Sequence, residues 1–144
     1  MDLPFERLHE DAELPAAAHP GDAGLDLRSI VDLDVAPGER SMVRTGVAVA
    51  IPQGYAGLVL PRSGLASSQG LTLANAPGLI DSGYRGEVIC AVVNLDPNEP
   101  VRIAKGDRIA QLVIVAIPEV KATWAEQLPP SHRGTGGFGS TGTE

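Results

Sequence analysis

Three short polar clusters interrupt an otherwise aliphatic sequence and hold most of the side chains that could do chemistry. In the first, residues 23–27, Asp26 stands between apolar residues at the spacing of a strand. Taken alone, such an aspartate more often caps a turn than holds a ligand. In the second, residues 61–66, Arg62 and Ser63 lie where a predicted strand ends and a predicted short helix begins. Backbone N–H groups and side-chain donors can converge on a phosphate at such a junction, although an arginine there is also often simply solvated.

The third cluster, residues 75–87, is dense in glycine and proline yet also contains Asn75, Asp81 and Tyr84. Asp81 follows two large aliphatic residues, so we expect partial desolvation of its carboxylate. Such a carboxylate can act as a general base on a water within hydrogen-bond reach. An asparagine amide can read the edge of a nucleobase, and a tyrosine ring can stack on a ring of the ligand. The simpler interpretation is a β-hairpin with ordinary turn residues.

The last residues, 132–144, form a glycine-rich tail in which Arg133 and Phe138 stand out. So many glycines cannot build a core, and we expect this tail to be mobile when nothing is bound. A functionless tail is one interpretation. The other is that Arg133 offers a partner for phosphate and Phe138 a stacking ring, among backbone N–H groups free to approach an anion. The spacing of a nucleotide-binding P-loop is absent.

Two other kinds of site fit the sequence poorly. A serine hydrolase would have to recruit Ser63, His132 and Asp81, but the sequence has no G-x-S-x-G elbow and His132 lies in the tail. Cys90 is the single cysteine, which excludes both an internal disulfide and a CxxC metal site. The histidines are scattered without the spacing of metal ligands: His9, His19 and His132.

The composition indicates a soluble β-rich domain. Apolar residues make up 43% of the chain but aromatic residues only 3%, so the core must be aliphatic. Seventeen glycines and 12 prolines favour many turns and short strands. The net charge of −7 argues against a protein that coats nucleic acid, because such a protein must neutralise phosphates. No signal peptide and no membrane-spanning run is evident, which predicts a cytoplasmic protein.

The elements that must position these clusters are mostly strands. Residues 41–51 alternate with a period of two, and residues 54–60 read as a strand stopped by Pro61. The runs 87–95 and 108–117 are nearly continuously apolar, which predicts strands buried on both faces. Residues 101–104 form a short strand, and residues 63–69 the one short helix. Together they predict an all-β fold, an antiparallel barrel or jelly-roll-like sandwich over residues 1–130, followed by a flexible arm at 131–144.

In order along the chain, these pieces resemble the five motifs of the trimeric dUTPase family. Residues 23–27 are similar to the first motif, 61–66 to the second, and 78–87 with Asn75 ahead of them to the third. Residues 106–112 are similar to the fourth motif and 133–142 to the fifth. The resemblance implies a jelly-roll-like fold, a homotrimer with three shared active sites, and a C-terminal arm that closes over a neighbouring subunit's site. It also implies hydrolysis of dUTP to dUMP and pyrophosphate, which limits uracil in DNA and supplies dUMP for thymidylate synthesis.

The resemblance also implies a role for each matching residue. Asp81 would activate the water that attacks the α-phosphorus, and Tyr84 would pack on the deoxyribose and exclude a ribose 2′-hydroxyl. Mg²⁺ would be held mainly by the triphosphate, with Asp26 reached through water. The remaining residues implied to bind substrate are Arg62, Ser63, Gly64 and Gln111 on the phosphates, Asn75 with the backbone of Gly78 and Ile80 on uracil, and Arg133, Phe138 and Gly139 in the arm.

Three alternatives compete with this interpretation. A dCTP deaminase shares the fold and the triphosphate site, but it lacks this tyrosine and needs a glutamate farther on, where residues 88–93 offer no acid. A non-catalytic nucleotide-binding module would not need Asp81. A structural β-sandwich subunit would make the tail irrelevant.

Overall fold

The computed structural model describes residues 1–137, which form ten strands and one helix. The strands are, in chain order, β1 Phe5–Arg7, β2 Leu25–Arg28, β3 Leu33–Val35, β4 Arg40–Val49, β5 Tyr55–Pro61, β6 Leu71–Leu73, β7 Gly78–Ile80, β8 Glu87–Asn94, β9 Val101–Ile103 and β10 Arg108–Ala116. The helix α1 spans Ser63–Gln69, as predicted, and ends at Gly70 in the left-handed conformation.

The strands form two four-stranded antiparallel sheets and one two-stranded sheet. One sheet has the order β1-β4-β8-β6, the other β2-β10-β5-β7, and β3 pairs with β9. Buried aliphatic side chains from both larger sheets meet in one core, including Val43 and Val92 from the first and Leu27 and Leu112 from the second. Across residues 1–137 the sheets do not close into a barrel, so the sandwich form of the predicted all-β, jelly-roll-like fold is the one confirmed.

Strand β4 departs from the uninterrupted alternation that its sequence predicts. Arg44 pairs with Ile89, but the next partners are Ala48 and Glu87, so extra residues of β4 are accommodated between them. Gly46 takes a φ of +69° at this bulge. As a result Val47 packs with Ala12 and Ile30 in a second, smaller cluster and leaves the face on which it was predicted.

The prediction that both long apolar strands are buried on both faces is wrong for β8 in the single chain. Buried and more open residues alternate along it, and Ile89 is 41% exposed. Strand β10 is buried in its first half, at Ile109, Ala110 and Leu112, and opens toward Ala116. Strand β5 also continues through Pro61, which pairs with Ala110, where the sequence predicted that the proline would stop it. A proline at a strand end is tolerated because the ladder bond it cannot donate is not needed there.

Regular structure ends at Ala116, and the residues from 118 to 130 are exposed. Ile117 still donates its backbone N–H to Gly54 at 2.9 Å. Beyond it Val120, Trp124 and Leu128 present large apolar side chains to solvent, and Trp124 is fully exposed. The predicted boundary at residue 130 therefore stays a prediction. The helix at residues 63–69 is far too short to cross a bilayer, and residues 1–137 contain no other.

Candidate active site

The second polar cluster lies beside the first in an open cleft, which we call the cradle. Arg62 is the residue before helix α1 and has extended backbone angles, while Ser63 and Gly64 open the helix and are exposed. These three residues line the cradle together with Asp26 and Gln111, around a volume of about 450 Å³. The backbone N–H groups at the start of a helix lack partners within the helix, so the cradle offers donors to an anion.

Asp26 is bound on both sides by arginines. Its Oδ1 lies 3.2 Å from Arg62 Nε, and its Oδ2 accepts a hydrogen bond of 3.2 Å from Arg108 Nη1. The side chain of Asp26 is only 14% exposed, so this network is shielded from water on most sides. Strand pairing accounts for the arrangement, because Asp26 on β2 pairs with Gln111 on β10 and Arg108 begins that same strand.

Gln111 crosses the cradle because Gly24 leaves room for it. The Gln111 amide donates from Nε2 to the carbonyl of Pro61 at 3.0 Å, which fixes its side chain at the end of β5. A Cβ on Gly24 would lie 3.2 Å from Gln111 Cβ and would overlap its side-chain amide. Gly24 belongs to the same motif as Asp26, but the sequence alone does not reveal its steric role. That role follows from the pairing of β2 with β10, which brings Gln111 over Gly24.

The third cluster lines a separate cavity of about 290 Å³, which we call the hairpin pocket. Asn75, Gly78, Ile80 and Tyr84 border it, and its other walls are largely aliphatic. The Asn75 amide lies beside Gly78, where a Cβ would be 3.3 Å from Asn75 Nδ2. An apolar slot with one amide at its edge suits a flat ring that has hydrogen-bonding groups on one side.

Tyr84 is held over the rim of the hairpin pocket by contacts that the sequence analysis did not identify. Its hydroxyl donates to the carbonyl of Glu87 at 3.0 Å. Gly86 leaves the space that the ring fills, because a Cβ there would collide with the phenol oxygen. Arg85 closes the turn, since its Nη1 donates to the carbonyls of Ser82 at 2.7 Å and Tyr84 at 2.8 Å.

Asp81 follows β7 and is exposed, so the expectation that its aliphatic neighbours desolvate it is wrong for the single chain. Register also separates Asp81 from the cradle. Gly57 pairs with Ile80, which puts Asp81 level with Ala56 near the start of β5, whereas Arg62 follows the last residue of that strand, six residues on from Ala56. At the rise of a strand, that offset corresponds to about 20 Å. The structure therefore forms two groups of site residues that one chain does not bring together.

Two further features concern protons and metals. Cys90 lines the hairpin pocket, but burial raises the pKa of its thiol to about 12, which makes it inert as a nucleophile. Within residues 1–137 no three histidine, cysteine or acidic side chains are grouped to hold a metal. The single shielded carboxylate of Asp26 at the cradle wall fits a Mg²⁺ ion that arrives on a triphosphate and keeps its waters.

The arm is described only at its beginning. Arg133 is exposed, and its Nε donates to the carbonyl of Gly136 at 2.8 Å. Arg133 lines neither the cradle nor the hairpin pocket. Phe138 and Gly139 lie outside the described residues.

Known proteins match both the sequence and the fold of this chain. The dUTPase family model matches residues 10–142. The chain is 54% identical over 142 residues to the deoxyuridine 5′-triphosphate nucleotidohydrolase of Streptomyces coelicolor, covering 99% of this chain and 78% of that protein. It is 57% identical over 129 residues to the enzyme of the same name from Cutibacterium acnes, covering 90% and 85%.

Solved structures agree. A mutant of the Staphylococcus bacteriophage 80alpha dUTPase with dUpNHpp superposes with a TM-score of 0.90 at 34% identity, covering 98% of each chain. A mutant dUTPase from phage phi11 of S. aureus, whose structure describes the coordination of a structural Mg(II) ion, has a TM-score of 0.81 at 30% identity and covers 88% of this chain and 98% of that one. The sequence matches and the shared fold place this chain in the dUTPase family.

Proposed function

We propose that this chain hydrolyses dUTP to dUMP and pyrophosphate, in a homotrimer whose active sites are each shared between subunits. The observation that carries the proposal is the division of the site residues. The cradle offers cationic and N–H donors, and the hairpin pocket offers an apolar slot with an amide. The exposed Asp81 is level with Ala56, so about 20 Å of strand β5 separates it from Arg62, just beyond the end of that strand. A nucleoside triphosphate needs the cradle for its phosphates and the hairpin pocket for its nucleobase at the same time. We therefore expect the cradle of one copy to meet the hairpin pocket of another.

In this arrangement Asp81 takes the proton of the attacking water. The water oxygen forms the new bond to the α-phosphorus while the bond to the bridging oxygen breaks, and pyrophosphate leaves. The chain itself contributes mainly position and charge, with Ser63, Gly64 and Gln111 donating to the phosphates and Arg62 supplying positive charge. A bound Mg²⁺, reached by Asp26 through water, would neutralise charge on the phosphate chain.

The hairpin pocket supplies the discrimination between nucleotides. Asn75 and the backbone of Gly78 and Ile80 would pair with the polar edge of uracil, and the tight slot would exclude the methyl group of thymine. Tyr84 would occupy the space that a ribose 2′-hydroxyl needs. Residues 131–144 would close over the site of a neighbouring subunit, with Arg133 meeting the γ-phosphate and Phe138, next to Gly139, stacking on uracil. A cytoplasmic location is part of the same proposal.

The deaminase alternative is disfavoured by the state of Glu87, the acid nearest to residues 88–93. Its carboxylate accepts hydrogen bonds from Arg44 Nε at 3.0 Å and from the backbone N–H of Gly46 at 2.8 Å. It therefore has a structural role in joining β4 to β8 at the bulge. The Asp81→Asn variant tests the binding-module alternative, which predicts that the substitution leaves phosphate release unchanged.

The first experiment measures pyrophosphate release with Mg²⁺ from dUTP, dTTP, dCTP and UTP, for the natural chain and Asp81→Asn. We expect turnover of dUTP alone and a loss of at least about 100-fold in kcat for the variant, with dUTP still bound. Equal turnover of all four nucleotides would contradict the pocket argument. Binding without turnover by the natural chain would favour a non-catalytic module.

A second experiment tests the shared site. Ser63→Ala with Gly64→Ala impairs the cradle and Asp81→Asn the base, and the two inactive variants are unfolded together and refolded as a mixture. If different copies supply cradle and base, random mixing restores about one quarter of the sites. A mixture as inactive as its components would show that one chain supplies both. Each variant refolded alone is the control.

A further inference from the structure

Arg108 has no assigned contact with the substrate, yet it holds one end of the network in the cradle wall. Its Nη1 donates to Asp26 Oδ2 at 3.2 Å, and Asp26 Oδ1 lies 3.2 Å from Arg62 Nε. Because Asp26 is mostly shielded from water, these charges interact more strongly than they would in bulk solvent. The position of Arg62 is therefore coupled to Arg108 through Asp26.

Arg108 also fixes Arg62 through its own backbone. Arg62 Nη1 lies 3.4 Å from the Arg108 carbonyl, to which it donates. Nε of Arg62 faces Asp26 and Nη1 faces this carbonyl, so two of the three guanidinium nitrogens are held within the chain while Arg62 lines the cradle. Any shift at the start of β10 would be transmitted to the orientation of Arg62.

The side chain of Arg108 sets the net charge at the cradle wall. Two guanidinium groups and one carboxylate leave a net positive charge at the cradle wall. Without the side chain of Arg108, Asp26 would be paired with Arg62 alone, and the two charges would cancel. Asp26 would then draw Arg62 toward itself and away from the phosphates, since it would be the only partner left for a shielded carboxylate.

We infer that Arg108 is a positioning residue, which engages Asp26 so that Arg62 keeps its orientation and its positive charge for the triphosphate. The inference rests on the proposed function and adds to it a residue that acts through another residue. It assigns Arg108 to ground-state binding of the phosphate chain, since Arg108 contacts the cradle residue Asp26 but does not itself line the cradle.

Arg28 provides a matched control. It is the strand partner of Arg108, and it makes an ion pair of the same length, 3.2 Å, with Glu13. The two arginine side chains are similarly exposed, at 38% and 40%. Removal of either charge alters the same pair of strands, but only Arg108 contacts the carboxylate that holds Arg62.

The experiment measures kcat and KM for dUTP at saturating Mg²⁺, and the Kd of a non-hydrolysable imido analogue of dUTP by calorimetry. The variants are Arg108→Gln, Arg108→Lys and Arg28→Gln. We expect Arg108→Gln to raise KM and Kd about tenfold with kcat within about twofold, the signature of lost ground-state binding. Arg108→Lys keeps the charge and should lose less than about threefold, and Arg28→Gln should match the natural chain.

Equal losses in Arg108→Gln and Arg28→Gln, or no loss in Arg108→Gln, would overturn the inference. So would a loss in Arg108→Lys as large as in Arg108→Gln. If Arg108→Gln does not fold, Arg108→Met keeps the aliphatic stem and takes its place. The two levels can be separated, because a natural chain that fails to hydrolyse dUTP refutes the proposed function, while the analogue Kd still tests Arg108.

Discussion

Gly86 and Gly24 leave the space that two site side chains fill. Tyr84 reaches across Gly86 to the carbonyl of Glu87, and Gln111 lies over Gly24 on its way to the carbonyl of Pro61. A methyl group on Gly86 would displace the Tyr84 ring, and one on Gly24 would displace the Gln111 side chain. The positions of Tyr84 and Gln111 in the proposed site therefore depend on the lack of a side chain at these two glycines.

Gly86→Ala is expected to weaken discrimination against UTP. The new Cβ would push the Tyr84 ring from the place where it is proposed to exclude a 2′-hydroxyl. The ratio of kcat/KM for dUTP to that for UTP should fall about tenfold, measured by pyrophosphate release. Gly83→Ala is the control, since a Cβ there meets nothing within 4 Å. An unchanged ratio in Gly86→Ala would argue against the role of Tyr84.

At this scale the sequence predicted residue types better than contacts. The sequence suggests Arg62, Ser63, Asn75 and Tyr84 as site residues because each stands in a polar cluster at a break between aliphatic runs. Gly86 meets the ring of Tyr84 because a tight turn brings the two together. The side chain of Arg108 meets Asp26 because strands β10 and β2, which are distant in sequence, pair with each other. Spacing along the sequence carries no information on such contacts.

Among the elements, strands β4 and β8 show where periodicity succeeds and fails. Alternation correctly predicted a strand from about residue 41, but it gave no sign of the bulge at Gly46. A glycine among small residues fits the period of two as well as alanine does, and only the positive φ distinguishes it. In β8 the aliphatic run concealed an alternation of burial, because outward residues such as Ile89 are also apolar.

Gly46→Ala is expected to destabilise the fold. A left-handed φ costs about 1–2 kcal/mol for a residue with a Cβ, and here the Cβ would also lie 2.9 Å from Ala12 Cβ. We expect a loss of about 2–4 kcal/mol in the free energy of unfolding, measured by denaturant titration at fixed protein concentration. Gly38→Ala isolates the backbone term, because Gly38 also has a positive φ but open space around it. Equal losses in both variants would show that the contact with Ala12 has no effect.

Cys90 tests the inward face of β8. Burial raises the pKa of its thiol to about 12, so at pH 8.5 the native chain should react with iodoacetamide at least about 100-fold more slowly than the chain in denaturant. Because the folded pKa lies above the unfolded one, the thiol favours the native state at neutral pH, and this contribution is lost as pH rises from 9 toward 12. Cys90→Ala with Ile89→Cys presents the thiol outward and should react quickly. Equal rates would contradict the assigned register.

For the molecule as a whole, the sequence predicted the all-β sandwich and the order of its polar clusters, but not their separation. Composition and turn density limit the fold class, because few architectures accommodate so many short aliphatic strands. The distance between Asp81 and Arg62 depends on the register between β5 and β7, which no single segment encodes. If the proposed site uses both Asp81 and Arg62, that separation requires the two residues to come from different copies of the chain.

Removal of residues 131–144 is expected to abolish turnover of dUTP while the oligomer stays assembled. The proposed arm carries Arg133 and Phe138, and all ten strands lie before it. We expect a loss of at least about 100-fold in kcat/KM, with an unchanged elution volume and unchanged melting temperature without ligand. Arg133→Ala in the full chain should lose part of the same activity. Full turnover by the truncated chain would refute arm closure.

Trp124 is the only tryptophan of the chain and lies fully exposed between strand β10 and the arm. Its indole is therefore an intrinsic optical label at one known place, with only two tyrosines as competing fluorophores. In an isolated copy its emission should resemble that of indole in water. A shift of the emission to shorter wavelength on assembly or on addition of nucleotide would show that this segment has become buried against another surface. Selective excitation of the indole at the long-wavelength edge of its absorption would follow that burial in real time.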